Sequence, residues 1–286
     1  MIVDTLAIVG TGLIGGSFSL ALKQAGAVRE VLGVGRNPAR LAVALELGLI
    51  NRAVDWMQAG EADCILLALP VGETGTVLKQ LAPHLKPGAV VTDAGSTKAN
   101  VVAAARATLG ARFADFVPGH PIAGSEQSGP GAARADLYQG KKVVLTPQAD
   151  TRASALATVR ALWEAAGAQV ETLDTDLHDR VFAAVSHLPH LAAFALVDEL
   201  AQRSDGDTFF RFAASGFRDF TRIAGSSPEM WRDIALANRE AVLAELDAYL
   251  AALEALRQAV EGRDAEALLM IFARARAARV RWTMDS

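Results

Sequence analysis

The chain has 286 residues and a formal net charge of −4, from 28 Lys and Arg against 32 Asp and Glu. That balance lacks the basic excess of a phosphate-tracking nucleic-acid protein, and 51% hydrophobic with 21% charged residues excludes a disordered chain. The single cysteine, Cys64, excludes an internal disulfide or a multi-cysteine metal site and suits a reducing compartment.

At roughly 150 residues per domain the length suits two domains. Residues 6–9 (Leu-Ala-Ile-Val) read as a buried strand, followed by a glycine turn and a helix towards Gly26. Residues 31–34 give a second strand, and a helix follows Pro38. Residues 64–69 and 89–92 are two more continuous apolar runs, the pattern of parallel strands buried on both faces. Pro70 and Asp93 stand at their carboxyl ends, where open parallel sheets take ligands. Residues 143–146 and 169–173 are expected to complete the sheet, with a helix from Ala153 between them. Beyond Asp174 the pattern becomes long Ala-, Leu- and Arg-rich helices. One starts at Ser226-Ser227-Pro228-Glu229, where a serine caps and Glu229 reaches back. The fold class is therefore an α/β Rossmann-type doubly wound sheet (1–174) followed by an all-α domain (175–286). No run reaches the ~18 uninterrupted apolar residues of a membrane span. Asp4 and the interrupting glycines do not suit a signal peptide. A cytoplasmic protein with neither membrane nor nucleic-acid partner is expected.

Gly10, Gly12 and Gly15 form G-x-G-x-x-G directly between strand and helix. The first permits a tight turn, the second lets backbone approach a pyrophosphate, and the third lets helix and strand pack closely. Leu13 and Ile14 lie in the same turn, so they, Gly10, Gly12, Gly15 and Pro70 are expected cofactor contacts. An NAD site usually carries an acidic residue about 20 positions on. Here the second strand ends Gly33-Val34-Gly35-Arg36-Asn37, and Arg36 suits the 2′-phosphate of NADP. The alternative is a solvated Arg36 with an NAD ribose held by Asn37 or backbone. The reading favours NADP over NAD.

Two segments follow strand ends: Asp93-Ala94-Gly95-Ser96-Thr97-Lys98, and Gly119-His120-Pro121-Ile122-Ala123-Gly124-Ser125-Glu126. His120 sits outside any helical or strand periodicity and reads as a loop histidine, a suitable proton acceptor near neutral pH. The second segment resembles the signature of the prephenate/arogenate dehydrogenase family. So do Ser186-His187-Leu188-Pro189-His190, Gly216-Phe217-Arg218-Asp219-Phe220-Thr221-Arg222-Ile223-Ala224 and Met230-Trp231-Arg232-Asp233, in the family's order.

The resemblance implies oxidative decarboxylation of a cyclohexadiene bearing a ring carboxylate and a 4-hydroxyl. His120 matches the catalytic histidine, and Ser96 the serine that bonds near the hydroxyl and nicotinamide. Arg222 matches the arginine for a substrate carboxylate, Arg218 a second basic position, and His190, Trp231 and Glu126 positions beside substrate. The family implies a homodimer through the helical domain. Arg211, Arg218 and Arg222 share one face if their helix is unbroken. His178 and Asp179 read as a capping pair, and His187 and His190 as a poor metal site. One competing reading is a β-hydroxyacid dehydrogenase, which uses a lysine on the inter-domain helix. No lysine follows Lys142. The other is a non-catalytic nucleotide sensor, which retention of His120, Ser96 and Arg222 argues against.

Overall fold

The computed structural model describes residues 1–125 and 127–285. Six parallel strands, β1 (Val3–Val9), β2 (Val28–Val34), β3 (Arg52–Ala53), β4 (Cys64–Leu67), β5 (Val90–Asp93) and β6 (Phe116–Val117), form one sheet. Their order is β3-β2-β1-β4-β5-β6, which reverses beside β1. The uninterrupted apolar runs have a direct cause. Leu6 and Ile8 enter one core with Phe18, Leu66 and Trp163, while Ala7 and Val9 enter another with Ile65, Leu81 and Phe116. Helices cover both faces, so neither side of the strand can be polar. Val9 is in register with Val34 on one side and Leu67 on the other, and Leu67 with Asp93. The loops after β1, β2, β4 and β5 therefore emerge at one edge, the crevice where such sheets take ligands.

The later strands depart from expectation. β7 (Gly119–Pro121) pairs antiparallel with β8 (Lys142–Leu145), which pairs parallel with β9 (Gln169–Thr172). These three form a separate sheet rather than completing the first. Pro118, with no N–H to give a ladder, stands between β6 and β7 and divides the two pairings. Its carbonyl instead accepts from Thr146 N–H at 3.0 Å. His120 is thus a strand residue opposite Val144, not a loop histidine.

Among the described residues after Thr172, only helices follow. Thr175–Phe182, the π-turn Ala183–His187 and Leu188–Ala201 run on as one helix, capped by Asp174, whose Oδ1 accepts from Leu177 N–H at 2.7 Å. Its 27 residues include a window of mean hydropathy 1.5, long and apolar enough to cross a membrane by length and composition. Counting uninterrupted apolar runs misses this, because scattered polar residues leave the average high. The arginine stripe does not form. A break at residues 212–214 separates Gly206–Arg211 from Ser215–Thr221, which runs on into the 3₁₀ turn Arg222–Gly225, so Arg211 does not share a helix with Arg218 and Arg222. Helix Pro228–Ala237 is capped by Ser227, whose hydroxyl oxygen accepts from Met230 N–H at 3.2 Å. That hydroxyl also donates to Glu229, so Glu229 makes no reach back to Ser226. Packing divides the chain into two compact units, Met1–Arg239 and Glu240–Ser286. The second contains helices Arg239–Glu261 (from Glu240) and Ala265–Asp285.

Candidate active site

The glycine turn has the shape a dinucleotide needs. Gly10 has φ +98°, and a Cβ there would lie 2.1 Å from the Ala68 carbonyl oxygen. A Cβ on Gly15 would lie 2.2 Å from the Gly10 oxygen, so the helix Leu13–Gln24 packs where only glycine fits. Gly12 differs: a Cβ there would meet nothing within 4 Å. Tightness beneath and open space above are what a pyrophosphate cradle at a helix N-terminus requires. Leu13 and Ile14 are half-buried at the mouth and Pro70 is exposed on the loop after β4. Arg36 is exposed and bonds Glu73, a residue the sequence did not single out.

His120, 8% exposed, stands where β7 leaves the main sheet. Its Nδ1 lies 2.9 Å from His178 Nε2, and His178 Nδ1 lies 2.8 Å from Asp179 Oδ1. The carboxylate fixes both tautomers in turn. Asp179 can only accept, so His178 carries its proton on Nδ1 and presents a bare Nε2. His120 must then donate from Nδ1, which leaves its own Nε2 with a lone pair. Among the described residues Nε2 of His120 has no hydrogen-bond partner. Phe182 meets the His120 ring edge-on at 4.7 Å and the His178 ring at a tilt at 4.6 Å.

Asp179 is held by the start of helix Ala99–Leu109, its two oxygens accepting from Lys98 N–H and Ala99 N–H at 2.8 Å each. Burial works against its ionised form, but His178 and these two N–H groups hold its pKa below the usual carboxylate range. Burial, aided by the charges of His178, Lys98 and His187, holds His120 well below the usual 6.5. His120 is therefore neutral at pH 7. Lys98, fully buried, pairs with Asp93 and donates to the Gly119 carbonyl at 2.7 Å. Asp93 in turn accepts from Gly119 N–H at 3.0 Å and Gly95 N–H at 2.8 Å. Ser96 is half-buried on this same turn.

A second cluster joins the relay through Asn238, whose amide donates to the Asp179 carbonyl at 2.8 Å and lies 3.2 Å from His187 Nδ1. Burial pushes the His187 pKa down to about 4, so it is neutral with its proton on Nε2. That Nε2 and Trp231 Nε1 are buried donors without acceptors among the described residues. His190 stacks on Trp231 with ring centres 3.7 Å apart. Its Nδ1 donates to Ser186 O at 2.9 Å rather than facing a metal. Val71, on the loop after β4, packs with Trp231 and Ile234, which brings this cluster to the strand ends. The turn Arg222–Gly225 packs on the helix that carries His190, and Arg218 is exposed beside it. Glu126 lies outside the described residues. His178 and Asp179 lie inside the helix that Asp174 caps, so they do not cap it; they form the hydrogen-bonded chain to His120, and Asp179 meets the first N–H groups of helix Ala99–Leu109.

A family model described as the prephenate dehydrogenase nucleotide-binding domain matches residues 18–172. Another, the prephenate dehydrogenase dimerization domain, matches residues 174–274. The chain belongs to the prephenate dehydrogenase family. It is 37% identical to a prephenate dehydrogenase of Bacillus subtilis, over 96% of this chain and 74% of that one. It is 36% identical to a cyclohexadienyl dehydrogenase of Zymomonas mobilis, over 98% and 96%. A solved prephenate dehydrogenase from A. aeolicus, in complex with hydroxyphenyl propionate and NAD+, superposes with a TM-score of 0.91 at 38% identity. That match covers 97% of this chain and 98% of the other.

Proposed function

We propose that this chain oxidises and decarboxylates prephenate, arogenate or both, transferring hydride to NAD or NADP. The products are 4-hydroxyphenylpyruvate or tyrosine, with CO₂, in tyrosine biosynthesis. The observation that carries this reading is the chain Asp179–His178–His120, which leaves one imidazole nitrogen bare at the strand ends. A bound nicotinamide dinucleotide supplies the hydride acceptor, and the turn at Gly10, Gly12 and Gly15 is shaped to hold it.

The substrate is a cyclohexadiene whose 4-carbon carries hydroxyl and hydrogen. As that carbon loses hydride, its hydroxyl proton passes to His120 Nε2, and a carbonyl forms. The bond from the ring to its carboxylate then breaks, CO₂ leaves, and the electron pair runs through the ring to the oxygen. His120 returns the proton to the resulting phenolate. Aromatisation drives the second step, so the protein supplies orientation and one base. Ser96 hydrogen-bonds the hydroxyl, and Arg222 binds a substrate carboxylate with Arg218 as a further cation. The stacked pair His190 and Trp231 lies beside the ring, and the buried donors at His187 and Trp231 suit an anionic ligand. Glu126 retains its sequence-based place beside substrate.

We assign residues 1–174 to cofactor binding and 175–286 to substrate binding and dimerisation, in a cytoplasmic homodimer. Arg36 supports NADP as the favoured cofactor. Absorbance at 340 nm decides the activity, with prephenate, arogenate and a 3-hydroxy acid, each given NAD and NADP. Signal with a cyclohexadiene is expected. Silence with both cyclohexadienes, alongside measured dinucleotide binding, would leave the nucleotide sensor as the better reading.

A further inference from the structure

The residue at the end of β2 that usually bonds a ribose 2′-hydroxyl is acidic, whereas here β2 ends at Val34 and is followed by Gly35 and Arg36. The carboxylate is absent from that strand but not from that place. Glu73 ends the short turn Val71–Glu73 after β4, and its Oε1 lies 2.5 Å from Arg36 Nη2. Since Val34 and Leu67 both pair with Val9, β2 and β4 flank β1 on either side. The ion pair therefore closes across the end of β1, beside the glycine turn that begins at Gly10. The Arg36 side chain is 75% exposed and the Glu73 side chain 35%. A pair this wet does little to hold a fold, so its place calls for another account.

We propose that Glu73 is the acidic partner of the cofactor's adenosine ribose, set against Arg36, and that it biases the site towards NAD. This rests on the dinucleotide reading above. A free 2′-hydroxyl donates to the Glu73 carboxylate while Arg36 stays paired with it. A 2′-phosphate instead takes the Arg36 guanidinium, which must leave Glu73, and the bare carboxylate then repels the phosphate. Glu73 thus opposes the preference that Arg36 alone would set. One residue from each of two loops weighs the same substituent with opposite sign.

The test is calorimetric, on the full-length protein, with NAD+, NADP+, 5′-AMP and 2′,5′-ADP as probes. Glu73→Gln is expected to shift the ratio of dissociation constants about tenfold towards NADP+, the size of one nearby charge in partly screened solvent. The 2′,5′-ADP to 5′-AMP ratio should move with it. Arg36→Gln should shift both ratios the other way. Both residues are on the surface, and unchanged thermal melting confirms that each variant folds. If both dinucleotides bind and Glu73→Gln moves neither ratio by more than about twofold, Glu73 has no such role. A shift from Arg36→Gln alone leaves the cofactor reading standing and removes only Glu73. Failure of the wild type to bind either dinucleotide overturns both.

Discussion

For the proton transfer proposed at His120, the reacting nitrogen is set two hydrogen bonds away, at Asp179. A buried imidazole has two tautomers, and only the one with a lone pair on Nε2 can accept a proton from substrate. Asp179 accepts from two backbone N–H groups and stays ionised, so His178 must donate to it and accept from His120. Burial holds His120 well below pKa 6.5 because the imidazolium is poorly solvated there. The working form is the neutral one, and lowering its pKa extends that form into mild acid. The acid limb of kcat/KM is therefore expected below pH 6.5 rather than at it; a limb at or above 6.5 contradicts a buried neutral base. His120→Asn should lower kcat by about 10²–10⁴-fold while leaving NAD(P) affinity nearly unchanged. Equal loss of both would mean that residue 120 supports the fold rather than the proton transfer.

Among the elements, the junction of β5, β7 and helix Ala99–Leu109 carries the site, and Lys98 is its centre. Its ammonium meets Asp93 and the Gly119 carbonyl, and its backbone N–H meets Asp179. Asp93 ties its own turn to the start of β7 by accepting from Gly95 N–H and Gly119 N–H. Lys98→Met leaves the buried Asp93 carboxylate without its counter-charge, so a loss of about 3–5 kcal/mol in urea unfolding is expected. Lys79→Met, on an exposed helical position, should change little. Equal effects would show that Lys98 is not a fixed member of the core.

This junction also marks where the sequence stops being readable. The glycine turn is legible because each glycine answers a local need. β1, β2, β4 and β5 are legible because both their faces are covered and their residues are uniformly apolar. β6 and β7, of two and three residues, are too short to carry any period. His178 lies 58 positions from His120, so no spacing within either segment could join them. The one local clue was Asp174, an N-cap three residues before Leu177, which leaves His178 and Asp179 inside the helix and free for another task. Glu73 is not legible from spacing along β2, because it reaches Arg36 from the loop after β4.

At the scale of the whole molecule, the helical part exposes more apolar surface than a lone chain in water should. Helix Thr175–Ala201 is long and apolar enough for a membrane by composition, and only 22% of its apolar window is buried. Yet His178, Asp179 and His187 on this helix are buried and engaged by hydrogen bonds, an arrangement suited to a folded core rather than to lipid. The second compact unit shows the same excess by itself. Leu243, Leu250 and Leu253, spaced to lie on one face of Arg239–Glu261, are all exposed. Such a stripe marks an association surface, and the match to a dimerization domain over residues 174–274 says which kind. A second copy of the chain is the expected cover, by an isologous contact. Light scattering should therefore give twice the 30.0 kDa chain mass without detergent. Leu250→Glu with Leu253→Glu should lower that towards one chain mass while leaving dinucleotide binding, a property of the first unit, in place. A wild type that is monomeric, or that needs detergent to stay in solution, would turn these faces from a dimer contact to some other partner.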